Sequence, residues 1–217
     1  MKRLENIEFA IFDMDGTILD SMWAWDTAAN RLLNELGITP RPEMREDIRP
    51  MTVPQVADYL IENYGLPQSH EEMMQLFDDT MVNFYKNEAD FKEGARELLT
   101  ALNERGVGMC IATATDRYMV EIVLKRLGIY DMFDFIITCT EVGASKASPL
   151  IFEECLKRAG SSRSKTWVFE DSAFAVTTAK KAGFPVLALY DRSSEMFEDQ
   201  KKRDADIYLH SFNEILT

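Results

Sequence analysis

Five short apolar runs, each stopped by a polar loop and separated by stretches of helical spacing, constrain this 217-residue chain more than any other feature. The first, Glu8-Phe-Ala-Ile-Phe12, ends abruptly at Asp13-Met-Asp-Gly-Thr17. Val107–Ala112, Phe133–Thr138, Thr166–Phe169 and Val186–Tyr190 follow the same pattern. None alternates polar with apolar residues, as a half-solvated strand would; such runs suit strands covered on both faces by helices. The intervening segments carry the 3.6-residue period. Ala95, Leu98, Leu99 and Leu102 share one face and stop near Gly106; Met119, Ile122, Val123 and Leu127 stop at Gly128. Ser148 and Pro149 are read as N-cap and first-turn proline of a helix through Ile151, Phe152, Cys155 and Leu156, and Ala175, Val176, Ala179 and Ala182 close at Gly183. Strand alternating with helix predicts an α/β fold, a Rossmann-like doubly wound parallel sheet.

Residues from about 20 to 92 break the alternation. Trp25, Ala29, Leu32, Leu33 and Leu36 lie at helical spacing before Gly37. Thr52-Val-Pro54 opens a second helix that ends near Gly65, and Ser69-x-x-Glu72 is a capping box before a third. The reading is an inserted small helical cap domain, 21–91, in an α/β core made of 1–20 and 92–217.

Charge and cysteine usage exclude several classes. With 24 basic against 37 acidic residues and a net charge of −13, the chain lacks the clustered cations that nucleic-acid backbones demand, so no nucleic-acid partner is expected. No apolar run approaches the length of a membrane span, and the N-terminus, with Lys2, Arg3, Glu5 and Glu8, has no signal-peptide pattern. Cys110, Cys139 and Cys155 are odd in number and widely spaced, which suits buried free thiols better than a disulfide framework. These features together predict a cytoplasmic protein with no membrane partner, a monomer or weak homodimer.

The chemistry concentrates at the strand-to-helix junctions, where open α/β sheets bind ligands. Asp13 and Asp15 lie two residues apart beside a glycine and can share a divalent cation while doing separate jobs, one as nucleophile and one as acid and base. Thr113, in Ile111-Ala-Thr113-Ala-Thr115-Asp116, ends the second run; alone it reads as a helix cap, yet its hydroxyl and the adjacent backbone N–H groups, that of Ala114 among them, suit a phosphate oxygen. Lys146 and the acidic pair Glu170-Asp171 occupy two further junctions. Each signal is weak by itself, and their order along the chain is what gives them weight.

With these residues in place the chain resembles the haloacid dehalogenase superfamily, in particular its phosphatases with a small helical cap (subfamily I), similar to beta-phosphoglucomutase-like phosphatases. Asp13-Met-Asp-Gly-Thr17 matches the first motif, Thr113 the second, Lys146 the third and Glu170-Asp171 the fourth. The resemblance implies a Mg²⁺-dependent phosphatase of a small phosphorylated metabolite. Asp13 would form a phosphoaspartate, and Asp15 would serve as acid and then base. Thr113, Ala114 and Lys146 would hold phosphoryl oxygens. The metal would sit on the Asp13 and Asp171 carboxylates and the Asp15 carbonyl, with Glu170 acting from behind.

Several departures from the family refine the reading. Proline does not follow Lys146 directly, and Ala175 stands where glycine is usual. Lys86 and Lys92 are the lysines between residues 20 and 92, both late, which disfavours a phosphonatase. Val53 replaces the cap arginine with which a sugar phosphomutase holds a second phosphate, so hydrolysis is favoured over the mutase alternative. Intact Asp13, Asp15, Lys146 and Asp171 argue against a non-catalytic regulatory binding protein. Trp23, Trp25, Arg49 and Arg117 are candidates for substrate specificity, and His70 and His210 are read as surface residues.

Overall fold

Six parallel strands run in the order β3-β2-β1-β4-β5-β6 in the computed structural model, which describes residue 4, residues 6–48 and residues 51–216. They are β1 (Phe9–Phe12), β2 (Gly108–Thr113), β3 (Phe135–Thr138), β4 (Thr166–Glu170), β5 (Val186–Leu189) and β6 (Ile207–Leu209). The five expected runs all form strands. The sixth, not among the expected runs, is only three residues long, too short to carry an apolar pattern.

Residue alternation builds two cores. Phe9 and Ile11 of β1 face one side with Cys110, Ala112, Val168, Val186 and Ala188. That side packs on α8 (Leu150–Ala159) and α9 (Ala173–Lys181) through Ile151, Phe152, Cys155, Ala175, Val176 and Ala179. Ala10 and Phe12 face the other side, where Phe12 stacks on Phe169 at 4.3 Å between centroids and Phe169 meets Phe212 at 6.5 Å. All four residues of β1 are buried, which is why its sequence shows no alternation. Gly108 sits directly opposite Phe9 in the parallel register, and a Cβ there would come within 2.6 Å of the Phe9 ring.

Two expectations are corrected. The helix after Lys146 starts at Leu150 with Pro149, not Ser148, as its N-cap; Ser148 Oγ instead accepts from Leu150 N–H at 3.3 Å. Cys110 and Cys155 are buried and free, whereas Cys139 is only half-buried because it opens the short helix α7 (Cys139–Val142) at the sheet rim.

The chain divides into two compact units, residues 1–22 with 89–217 and residues 23–88. The second unit is helical, built from α1 (Met22–Glu35), α2 (Met44–Ile48), α3 (Val53–Tyr64) and α4 (His70–Asn87). Its boundaries follow sequence chemistry. Gln55 Oε1 accepts from Thr52 N–H at 2.8 Å at the start of α3, and Gly65 ends that helix with a φ of 62°. The capping box at the start of α4 is formed, with Ser69 Oγ accepting from Glu72 N–H at 3.2 Å and Glu72 Oε2 accepting from Ser69 N–H at 2.7 Å. The short helix α2 was not foreseen. Arg49 and Pro50, like Lys2 and Arg3, lie outside the described residues.

The remaining helices of the first unit are α5 (Ala95–Glu104), α6 (Arg117–Arg126), α10 (Glu198–Asp204) and α11 (Asn213–Leu216). Among the described residues, no helix is long and apolar enough to cross a membrane.

Candidate active site

The strand order reverses about β1 and β4, which are hydrogen-bonded neighbours. The crevice at their carboxyl ends is therefore the ligand position that a doubly wound sheet offers. β1 delivers Asp13 there and β4 delivers Glu170 and Asp171. Asp13 N–H donates to Phe169 O at 3.0 Å, so the ladder between the two strands continues to the residue that carries the carboxylate. One carboxylate oxygen from each of Asp13, Glu170 and Asp171 lies within 4.8 Å of the other two, and all three residues are buried.

Lys146 reaches into this cluster from the loop after α7. Its ammonium donates to Asp13 Oδ1 and, at 2.6 Å, to Glu170 Oε1. A loop lysine is ordinarily solvated, yet this one is 5% exposed. Glu170 Oε2 accepts from Ser172 N–H at 2.9 Å, so both oxygens of that carboxylate are engaged, and Thr17 Oγ1 donates to Asp171 Oδ1 at 3.3 Å.

Burial raises the Asp13 carboxyl to about 7, against the pull of Lys146 and with Glu170 pushing the same way. Burial likewise holds Asp171 well above the usual carboxylate range, reinforced by repulsion from Glu170 and Asp13. Burial works against the charge on Lys146, but the two carboxylates beside it outweigh that penalty and hold its ammonium above its ordinary range. Three carboxylates thus face one ammonium, and the acidic excess is what a divalent cation would neutralise. The donors are hard oxygens, the set that suits Mg²⁺ or a similar ion. Gly16 adds a further fit: its φ is +81°, and a Cβ there would stand 2.5 Å from Asp171 Oδ2, so only glycine lets the loop lie against that carboxylate.

Asp15 is oriented differently. Its carboxylate accepts from Ser21 Oγ at 2.6 Å and from Thr115 Oγ1 at 2.6 Å, and it is not part of the acidic cluster. Its side chain is therefore set apart from the Asp13, Glu170 and Asp171 carboxylates. Sequence alone does not single out Ser21 or Thr115 as site residues, although Thr115 stands in the stretch quoted for Thr113 and Ser21 follows the Asp13–Thr17 motif by four residues.

Thr113 ends β2, buried, and its Oγ1 accepts from Thr115 N–H at 3.1 Å. It does not cap a helix, because α6 is capped at Asp116. Ala114 beside it is exposed.

The proposed specificity residues fare unevenly. Arg117 is engaged by Glu141 through Nε at 2.5 Å and by Ile136 O at 2.7 Å, so its guanidinium ties α6 to β3 and α7. Trp25 Nε1 donates to Tyr85 OH at 3.1 Å inside the helical unit. Trp23 is 46% exposed, edge-on to Phe84 and beneath the Arg31 guanidinium. Arg49 lies outside the described residues. His70 and His210 are exposed, paired with Asp58 and Glu198 respectively.

A doubly wound parallel sheet that gathers the Asp13, Glu170 and Asp171 carboxylates and the buried Lys146 beside the carboxyl ends of its two central strands is an α/β architecture with an acidic site able to hold a metal ion. The chain belongs to the haloacid dehalogenase-like hydrolase family, whose model matches residues 10–189. It is 30% identical over 196 residues to the Drosophila melanogaster "Probable pseudouridine-5'-phosphatase", covering 88% of this chain and 84% of that one. Hexitol phosphatase B of Escherichia coli (strain K12) is 26% identical over 210 residues, covering 95% and 93%. The crystal structure of CbbY from Rhodobacter sphaeroides in complex with phosphate superposes with a TM-score of 0.78 at 22% identity, covering 96% of each chain.

Proposed function

We propose that the protein is a phosphoric monoester hydrolase acting on a small phosphorylated carbohydrate or polyol, with Asp13 as nucleophile. The observation that carries this is the separation of the two aspartates of one loop. Asp13 sits in the acid cluster beside Lys146, and Asp15 is held outside it by two hydroxyls. Two carboxylates in unlike surroundings can take unlike roles.

In this reading an Asp13 oxygen attacks phosphorus in line and the ester bond breaks. The leaving oxygen takes a proton from Asp15. Asp15 then removes a proton from water, which attacks the aspartyl phosphate to release inorganic phosphate and restore Asp13. Thr113, the Ala114 N–H and Lys146 hold phosphoryl oxygens, and Lys146 offsets the repulsion between phosphate and carboxylates. Bound at Asp13, Asp171 and the Asp15 carbonyl, with Glu170 behind, Mg²⁺ would supply charge neutralisation for the transferring phosphoryl group. The names of the phosphatase relatives support the phosphomonoester class. The insertion, 21–91, is read as a cap that selects the leaving group for a core of 1–20 and 92–217. The monomer or weak homodimer and the cytoplasmic setting belong to the same proposal.

The test is phosphate release from a general phosphomonoester, with and without Mg²⁺, for the wild type and Asp13→Asn. Loss of turnover in Asp13→Asn and without metal is expected; unchanged activity in Asp13→Asn would refute the assigned nucleophile. With a hexose 1-phosphate, free phosphate supports hydrolysis, and an isomerised sugar phosphate would replace it with mutase chemistry.

A further inference from the structure

Behind the acidic cluster lies a second charged network that the proposed chemistry does not use. It begins where the chain leaves and re-enters the sheet unit. Asp20 N–H donates to Asp90 O at 3.0 Å and Lys92 N–H donates to Ile18 O at 2.8 Å, with Leu19 bridged antiparallel to Phe91. The outgoing arm of this small ribbon is the continuation of the Asp13–Asp15 loop. From the returning arm, Lys92 Nζ lies 2.7 Å from Asp191 Oδ2 and donates to Tyr190 O at 2.7 Å, with the two side chains 13% and 6% exposed.

Asp191 is the node. It follows β5, and its Oδ1 accepts from Ser193 N–H at 2.8 Å and from the Ser193 hydroxyl at 2.6 Å. The next residue, Ser194, shares its hydroxyl proton between Asp171 O at 3.1 Å and Asp191 O at 3.3 Å. Lys201, fully buried in α10, donates to Ser194 Oγ at 2.8 Å and to Leu189 O at 3.1 Å. An unbroken chain of polar contacts therefore runs from the ribbon after the Asp13–Asp15 loop, through Lys92, Asp191 and Ser194, to the main chain of Asp171. It joins the two loops whose carboxylates form the acid cluster by a route independent of the strand ladder.

We propose that Lys92 and Ser194 are positioning residues for the divalent-cation site, holding the Asp171 loop and the Asp13–Asp15 loop at the separation that the ion requires. The proposal rests on the reading of Asp13 and Asp171 as metal ligands. A buried ion pair gains little net stability over apolar packing, because desolvation offsets its attraction. What the Lys92–Asp191 pair fixes is geometry: it sets the height of the ribbon against the end of β5, and Ser194 transmits that setting to a ligand-bearing residue. Partners of metal ligands act in this way, and their loss is felt as weakened metal binding.

The experiment uses the full chain, free of substrate, titrated with Mg²⁺ by calorimetry. In parallel, hydrolysis of a general phosphomonoester is followed as a function of Mg²⁺, with urea unfolding as control. Ser194→Ala and Lys92→Met are expected to weaken Mg²⁺ binding roughly tenfold, the lower end for such partners, while KM for the ester at saturating Mg²⁺ stays within about twofold. Lys92→Arg, which keeps the charge, is expected to recover most of the affinity. A purely structural role would instead lower the unfolding midpoint and leave the Mg²⁺ titration in place. The proposal is overturned if both variants bind Mg²⁺ like the wild type while Asp171→Asn does not. If Asp171→Asn itself binds Mg²⁺ like the wild type, the metal-site reading fails and takes this proposal with it.

Discussion

Thr115 Oγ1 donates to Asp15 Oδ2 at 2.6 Å across one hundred positions of sequence, tying the loop after β2 to the loop after β1. Ser21 closes on the other oxygen of the same carboxylate at 2.6 Å. The side chain assigned to proton transfer is thereby clamped from two directions.

This clamp can be tested by removing one arm. Thr115→Val keeps the shape and deletes the donor, so Asp15 gains rotational freedom at the point where a proton must be handed over. Turnover of a phosphomonoester is expected to fall by up to about a hundredfold, the lower end of what a positioned acid–base group supplies. Thr115→Ser should retain most activity. Steady-state phosphate release at saturating Mg²⁺ measures both, and a Thr115→Val enzyme with wild-type turnover would remove Thr115 from the account.

Gly16 offers a test of the loop itself. With φ at +81° and an added Cβ only 2.5 Å from Asp171 Oδ2, alanine there combines a left-handed backbone with a clash against the buried Asp171 carboxylate. The backbone term alone costs about 1–2 kcal/mol. Gly16→Ala is expected to lower stability by at least that amount in urea unfolding and to abolish most turnover. By contrast Ala175→Gly, at a buried position inside α9, should cost about 1 kcal/mol with catalysis unaffected.

Much of this was legible in the sequence because it is local. The five strand runs, the capping box at Ser69 and Glu72, and the strand-end positions of Asp13, Thr113 and Glu170-Asp171 each follow from neighbours within a few residues; Lys146, expected at a strand-to-helix junction, instead lies between α7 and α8, because the short α7 intervenes after β3. β6 was not, since three residues carry too little pattern. Nor was the start of α8 at Leu150, where the proline supplies the cap instead of the preceding serine. The partners of Asp15 and the Lys92–Asp191 pair were hidden for another reason. They join residues distant in sequence, and serine, threonine and lysine at such positions carry no periodic signal. Arg117 shows the converse: a cation beside a motif looks available in sequence and is committed in the fold to Glu141.

The acid cluster makes stability depend on pH in the metal-free protein. The Asp13 carboxyl is raised from 3.8 to about 7 chiefly by burial, so between those values the folded chain holds a proton that the unfolded chain releases. For this group stability is greatest below pH 4, falls as pH rises through that window and is level above about 7. Bound Mg²⁺ requires the ionised form, so its affinity should weaken as pH drops below 7. Unfolding midpoints of the metal-free protein between pH 4 and 8 should therefore decline less steeply in Asp13→Asn than in the wild type. Equal slopes would show that Asp13 titrates as an ordinary surface carboxyl.

Lys146 balances the same cluster from the other side. It donates to Asp13 and Glu170 at 5% exposure, so Lys146→Met leaves buried carboxylates without their ammonium. Breaking a buried pair in this way costs about 3–5 kcal/mol, much more than the pair itself contributes. A divalent ion placed on the neighbouring carboxylates should return part of that loss, because a ligand bound to the folded state stabilises it by mass action. The expected result is a variant that unfolds well before the wild type in metal-free buffer, with a larger gain in midpoint than the wild type on adding Mg²⁺. Turnover should stay low even when the fold is restored, since Mg²⁺ would replace the lost charge but not the hydrogen bonds that the proposed mechanism assigns to Lys146 on the phosphoryl oxygens. Recovery of full turnover by Mg²⁺ alone would reduce Lys146 to a charge-balancing role.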